Sequence, residues 1–251
     1  MIMLLQQGIR WFAYKFGYDI VKQHTRFRDF EEEEVQLVRS IKHYTMTSPE
    51  RIFALIHAVK YVVNNDIPGA IVECGVWRGG SMMAVAKTLL NLNHLTRELY
   101  LFDTFEGMPK PSDVDMSDRG IKASDKFEKN RINDNSSRWA YATLDETKKA
   151  MYSVGYDKRK IHFIKGKVEE TIPDKAPDVI SLLRLDTDFY ESTIHELIHL
   201  FPRLSKHGIL IIDDYGSWMG AKKAVDTYIA QNNLCLYLNR IDNTGRLCVK
   251  I

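Results

Sequence analysis

Six carboxylates stand at or just past the ends of four short apolar runs. Glu73 lies near the end of Ala70-Ile-Val-Glu-Cys-Gly75, and Asp103 closes Leu99-Tyr-Leu-Phe-Asp103. Asp186 and Asp188 follow Val179-Ile-Ser-Leu-Leu-Arg-Leu185, and Asp213 and Asp214 follow Gly208-Ile-Leu-Ile-Ile212. If the runs are parallel strands, their carboxyl ends share one edge of a sheet and residues distant in sequence converge there. That much like charge in one place requires cations.

The first two acids frame a cofactor site. Glu73-Cys-Gly75 is followed by Val-Trp-Arg-Gly79-Gly80, a glycine-rich turn into a helix, and Asp103 at the second strand end is placed to hold two ribose hydroxyls. The glycines do not space as GxGxxG, and Asp103 lies further along than the ~20 residues of the dinucleotide fingerprint. An acid ahead of the turn would repel a pyrophosphate but suits S-adenosylmethionine, whose sulfonium and amino groups are positive. The plain alternative is an ordinary strand-end acid beside a tight turn.

The second set suits a metal. Asp186-Thr-Asp188 puts two carboxylates on the same side if the strand persists that far, next to the pair Asp213 and Asp214 where the next parallel strand ends. Carboxylates with no cysteine beside them select a hard ion, Mg²⁺ before Mn²⁺ or Ca²⁺. Such an ion can bind a substrate hydroxyl and lower its pKa while a carboxylate takes the proton, which is the chemistry of methyl transfer to oxygen. Capping of the following helices is the alternative role for any single aspartate. His195-Glu-Leu-Ile-His199 matches the zinc motif HExxH, but Pro202 and Ser205 stand where the metzincin continuation needs glycine and histidine. Tyr190, Ile194, Leu197, Ile198 and Phe201 explain that helix as a core face.

The elements that must position these groups follow from apolar periodicity. Ser48-Pro49 reads as a cap and first turn of a helix ending at Asn64, and Ser81 to Leu92 as the helix after the glycine turn. Ile161 to Ile164 adds a strand, and helices from Tyr190 to Leu204 and from Met219 to Gln231 separate the later strands. Continuous apolar strands alternating with helices mean a mostly parallel α/β sheet with helices on both faces. Leu234 to Asn239 and Arg246 to Lys250 flank the turn Asp242-Asn-Thr-Gly245, which predicts a closing antiparallel hairpin. Residues 105–155 break the alternation with charge, proline and an Asn/Asp/Ser patch. An insertion this long past a strand's carboxyl end is a candidate lid, or a surface insertion with a helix at Leu144 to Tyr152.

Residues 1–44 mix Trp11, Phe12, Tyr14, Phe16 and Tyr18 with charge and end near Glu31-Glu-Glu-Glu34, a solvated helix start. This arm is expected to pack on the body or a second subunit rather than a membrane, which leaves a homo-oligomer open. The apolar start Met1 to Leu5 is too short for a signal-peptide core or a span, and three cysteines without CxxC suit a reducing cytoplasm. The 251 residues are 45% hydrophobic and 27% charged, which excludes a disordered or low-complexity chain. A net charge of +2 gives no overall field for nucleic acid or an anionic membrane.

Five segments together resemble the macrocin O-methyltransferase family: Tyr44-Thr-Met-Thr-Ser-Pro-Glu-Arg51, Ile71-Val-Glu-Cys-Gly-Val-Trp-Arg-Gly-Gly-Ser81, Leu101-Phe-Asp-Thr-Phe-Glu-Gly-Met108, Arg184-Leu-Asp-Thr-Asp-Phe-Tyr-Glu-Ser-Thr193 and Ile211-Ile-Asp-Asp-Tyr-Gly216. The resemblance implies a seven-stranded Rossmann-like class I methyltransferase domain over residues 45–251, methylating a hydroxyl of a sugar or glycosylated metabolite. It also implies Asp186, Asp213 and Asp214 as metal ligands and Asp188 as general base. Met46, Ser48 and Ser81 would lie with Glu73, Gly75 and Asp103 against the cofactor, and Gly166 with Val168 on its adenine side. Residues 105–155 look like that family's mobile lid. Two other classes stand beside this one: a glycosyltransferase using Asp186-Thr-Asp188 as a metal-binding DxD, and a non-catalytic module on the same fold.

Overall fold

An apolar run with no polar alternation has no face to give to water, so it must be covered on both sides. In the computed structural model, which describes residues 9, 11–13, 15, 16 and 27–251, the runs become a seven-stranded sheet in the order β5-β2-β1-β6-β7-β9-β8. Its strands are β1 (Ala70–Cys74), β2 (Leu99–Asp103), β5 (Ile161–Lys165), β6 (Ile180–Leu185), β7 (Leu204–Ile212), β8 (Asn239–Arg240) and β9 (Arg246–Val249). The first five pair in parallel, and β9 runs antiparallel to both β7 and β8.

One face carries α2 (Pro49–Asn64), α3 (Gly80–Asn91) and α5 (Leu144–Ser153); the other carries α6 (Val168–Thr171), α7 (Tyr190–Leu200) and α8 (Met219–Gln231). Ser48 caps α2, accepting from the Arg51 N–H at 3.2 Å, with proline opening the helix. The core between sheet and second face is built from Val72, Cys74, Leu183, Leu185, Leu210 and Ile212 against Leu197, Leu200, Val225 and Tyr228. Since β2, β1, β6 and β7 are neighbours, the ends that bear the six acids lie side by side.

By internal contacts the chain divides into Met1–Gln36 and Leu37–Ile251. In the first unit Trp11, Phe12 and Phe16 are exposed, while Tyr14 and Tyr18 lie outside the described residues. The acidic run does open a helix, α1 (Glu32–Ile41), although Glu34 is buried and accepts from the Glu31 N–H at 3.1 Å.

Three elements differ from the sequence reading. β7 begins at Leu204 rather than Gly208, because Lys206 and His207 are exposed and leave no apolar signal. The first arm of the hairpin forms a ladder only at Asn239–Arg240; Leu234, Leu236 and Leu238 pack on the core from an irregular segment outside the ladder. Residues 105–155 hold more order than a helix at Leu144: α4 (Ala123–Asn130) and a small hairpin of β3 (Arg131–Asn133) and β4 (Ser136–Ser137) precede α5. Ala123 and Trp139 there form a second small core with Phe189 of the body, against which Met108, Ala140 and Trp218 pack.

Candidate active site

The glycine turn is fixed by its neighbours. Gly75 has φ 82°, and a Cβ on it would lie 1.9 Å from the carbonyl oxygen of Asp186, so the ends of β1 and β6 approach too closely for any side chain. Asp103 ties the turn down from β2: one oxygen accepts from the Val76 and Trp77 N–H groups at 2.7 and 2.8 Å, and the other from Phe105 at 2.7 Å. Burial raises its pKa against those three bonds. Asp103 opens, with Gly75, Trp77, Gly166, Val168 and Trp139, onto a largely apolar cavity beside the turn. The Thr104 hydroxyl donates to the same oxygen as Phe105 at 3.5 Å, the longest of the four contacts and the one a ligand hydroxyl would replace.

A second, polar cavity adjoins the first. Thr45, Glu73, Ser81, Asp213 and Asp214 line it, and Met46, Asp186 and Asp188 face both. Glu73 is buried, and burial outweighs Arg184 to push its carboxyl up to about 7. Its Oε2 has no hydrogen-bond partner, so a cation placed in this cavity would satisfy it.

Two guanidinium groups, neither weighed in the sequence reading, hold the acids together. Arg184 lies opposite Glu73 in the β1–β6 register and is buried. It pairs with Glu73, with Asp186 at 2.8 Å and with Asp213 at 2.6 Å, and donates to the Thr47 hydroxyl at 2.9 Å. Arg51, on the first turn of α2, pairs with the other oxygen of Asp213 and with Asp242 of the hairpin turn at 3.0 Å. A charged residue inside an apolar strand is itself a signal, and Arg184 interrupts its strand alone. Ser48 donates to Asp242 at 2.6 Å, so its hydroxyl joins this network and lines neither cavity.

Asp186, Asp188 and Asp214 each bring a carboxylate oxygen to within 4.8 Å of the others, the one such group among the described residues. Burial drives all three carboxyls up: Asp188 to about 7, helped by Asp186, and Asp186 and Asp214 well above the usual range. The Oδ2 of Asp214 is buried without a partner. Three converging carboxylates with an orphaned oxygen fit a hard divalent ion. Asp213 lies alongside with both oxygens engaged by the arginines. Asp188 has φ 66°, a conformation that persists in a non-glycine residue only where its surroundings hold it.

The HExxH segment does other work. His195 bonds through Nε2 to the Ile172 carbonyl at 2.9 Å, and Glu196 turns fully into the core, where it accepts from the Thr187 hydroxyl at 3.2 Å. Glu196 therefore lies under the Asp186-Thr-Asp188 loop. From the insertion, Lys126 lies 3.9 Å over the Trp139 ring; burial lowers its pKa while Asp188 raises it.

A parallel sheet closed by an antiparallel hairpin, with a glycine turn and an acid at the next strand end, defines a Rossmann-like methyltransferase that takes S-adenosylmethionine. The macrocin-O-methyltransferase (TylF) family profile matches residues 18–249, and the chain belongs to that family of O-methyltransferases. It is 31% identical over 207 residues to 8-demethyl-8-(2,3-dimethoxy-alpha-L-rhamnosyl)-tetracenomycin-C 4'-O-methyltransferase of Streptomyces olivaceus, covering 82% of this chain and 75% of that one. It is 30% identical over 202 residues to demethyldecarbamoylnovobiocin O-methyltransferase of Streptomyces niveus, covering 80% and 74%. The solved O-methyltransferase NovP superposes with a TM-score of 0.71 at 28% identity over 82% of each chain. The calicheamicin methyltransferase CalS11, at 18% identity and a TM-score of 0.60 over 92% of this chain and 98% of its own, shares the fold. Family membership decides against the DxD glycosyltransferase reading.

Proposed function

We propose that the protein transfers a methyl group from S-adenosylmethionine to a sugar hydroxyl of a glycoside or saccharide, with a divalent ion at the acid edge. The observation that carries this reading is that Asp186 and Asp188 face both cavities, so a cofactor on the glycine-turn side and a hydroxyl on the polar side meet at the same two carboxylates. Relatives named for methylation of a rhamnosyl group and of mycinamicin III support the substrate class.

When bound, the cofactor supplies an electrophilic methyl group and the ion supplies a Lewis acid that lowers the hydroxyl's pKa. The cofactor would reach from the first cavity, where Asp103 faces its ribose and Gly166 with Val168 its adenine, into the polar one, where Glu73 faces its positive end. Met46 lies between the cavities, and Ser81 lines the polar one. Asp186 and Asp214 would hold the ion with Asp213 as third acid, and Asp188 would accept the proton of the hydroxyl that takes the methyl group, with S-adenosylhomocysteine as the product that leaves.

Calorimetry with S-adenosylhomocysteine and Mg²⁺ is the first test; no binding to the folded chain would sink the reading. Asp188→Asn is expected to keep both affinities and lose about 10²–10⁴-fold in turnover, whereas Asp213→Asn loses metal affinity. The closeness of Asp188 to Asp186 and Asp214 favours a second assignment, in which Asp188 is the third ligand and Asp213 serves only the arginines. That assignment predicts the reverse for metal affinity: lost in Asp188→Asn, kept in Asp213→Asn. The three free thiols, two of them buried, suit a reducing cytoplasm. No helix among the described residues is long and apolar enough to cross a membrane.

A further inference from the structure

Two helices begin just past the two acid pairs, α7 after Asp188 and α8 after Asp214, and neither is capped by its own N-cap side chain. The orphan N–H groups of a helix start need acceptors. Here they come from the insertion. Asp115 accepts from the Tyr190 N–H of α7 at 2.8 Å, and the carbonyl of Met116 accepts from the Met219 N–H of α8 at 2.8 Å. A Cβ on Gly220 would lie 2.0 Å from the same Asp115 oxygen, so the carboxylate also rests against the first turn of α8.

Asp115 is bound as firmly to its own segment. It is buried; its second oxygen accepts from the Ser112 N–H and hydroxyl at 2.8 and 2.7 Å, and its carbonyl accepts from the Ala123 N–H that begins α4. One carboxylate thus ties the insertion to the backbone that leaves Asp188, where the positive φ needs support. The same insertion supplies Met108 and Trp139 to the cofactor cavity.

We propose that Asp115 is a positioning residue: by capping α7 from the insertion it makes the arrangement of Asp186, Asp188 and Asp214 depend on the insertion being seated, and so couples the cofactor cavity to the acid edge. Each ligand then tightens the other, because binding free energies are reciprocal. This rests on the function proposed above, and the experiment separates the two.

Mn²⁺ affinity of the full chain is measured with and without saturating S-adenosylhomocysteine, at a temperature where every variant is folded, for wild type, Asp115→Ala, Asp115→Asn and Ser112→Ala. Wild type is expected to bind Mn²⁺ more tightly with the nucleoside bound. Asp115→Ala is expected to weaken Mn²⁺ binding about tenfold, as loss of a residue that orients ligands does, and to abolish the tightening. Asp115→Asn keeps one acceptor oxygen for the cap but sets its amide N–H₂ against the Ser112 N–H, so it is expected to restore part of both. A residue that served stability alone would lower the melting temperature and leave the tightening intact in the alanine variant; that result would overturn the proposal. Should Asp115→Ala not fold, Ser112→Ala, which loosens the carboxylate without removing it, is expected to shift affinity the same way by less, and unchanged coupling in it counts against the proposal. A wild-type chain that bound neither ligand would overturn the reading of the site itself.

Discussion

Arg184 stands alone as a charge in an apolar strand, opposite Glu73 and two positions before Asp186, and its guanidinium lets the buried Glu73 and Asp213 and the partly buried Asp186 share one edge. Removing one partner of a buried ionic cluster strands the others. Arg184→Met is therefore expected to cost about 3–5 kcal/mol in urea unfolding, and Arg184→Lys to recover only part, since an ammonium cannot fork between carboxylates. At this scale the acids were legible because a carboxylate at the end of an apolar run has few structural reasons to be there. The arginines were less so. Arg51 reaches Asp213 and Asp242 only because the turn at Asp242 folds back over α2, which no local pattern announces.

Among the elements, α5 supports the glycine turn from the insertion's far end. The Thr147 hydroxyl donates to the Trp77 carbonyl at 2.7 Å, and the helix opens on a capping box of Thr143 and Glu146. Thr147→Val removes that bond with little change of shape, at about 1 kcal/mol; it is expected to weaken S-adenosylhomocysteine binding several-fold in calorimetry while lowering the melting temperature by only about 2–4 °C. Full retention of affinity would show that the turn holds itself. The parallel strands were readable as runs, whereas α4 was not. It buries only Ala123 and Phe127, and two positions in a polar stretch give too little periodicity to mark a helix. Leu234 to Leu238 failed in the opposite sense: alternation reports which side chains are buried, not whether a neighbouring strand offers hydrogen bonds.

For the whole molecule, the raised carboxyls set a direction for stability against pH. Glu73 goes from 4.5 to about 7 on folding, and Asp188 from 3.8 to about 7. The folded state therefore holds more protons than the unfolded one across that window, and stability falls as pH rises through it. Asp242 works the other way, held down to about 2 where bonds from Ser48, Gly245 and Thr244 outweigh burial, but its contribution is lost only between 3.8 and about 2. Without metal the protein is expected to melt at a higher temperature near pH 5 than near pH 7.5. Added Mg²⁺, which binds deprotonated acids, should raise the melting temperature more at the higher pH. Equal Mg²⁺ effects at both would argue against an ion at these carboxylates.

Taken alone, the sequence determined the alternation of strand and helix, the sheet edge where the acids gather, and the motifs that place the chain among O-methyltransferases. These are local properties, written in apolar periodicity and in residues at strand ends. Only the tertiary structure decided which charges neutralise the edge, which three carboxylates converge, and that residues 105–155 cap the helices leaving the site. Those outcomes depend on register between distant strands and on where Asp115, Arg51 and Asp242 come to rest, and such contacts exist only once the chain has closed on itself.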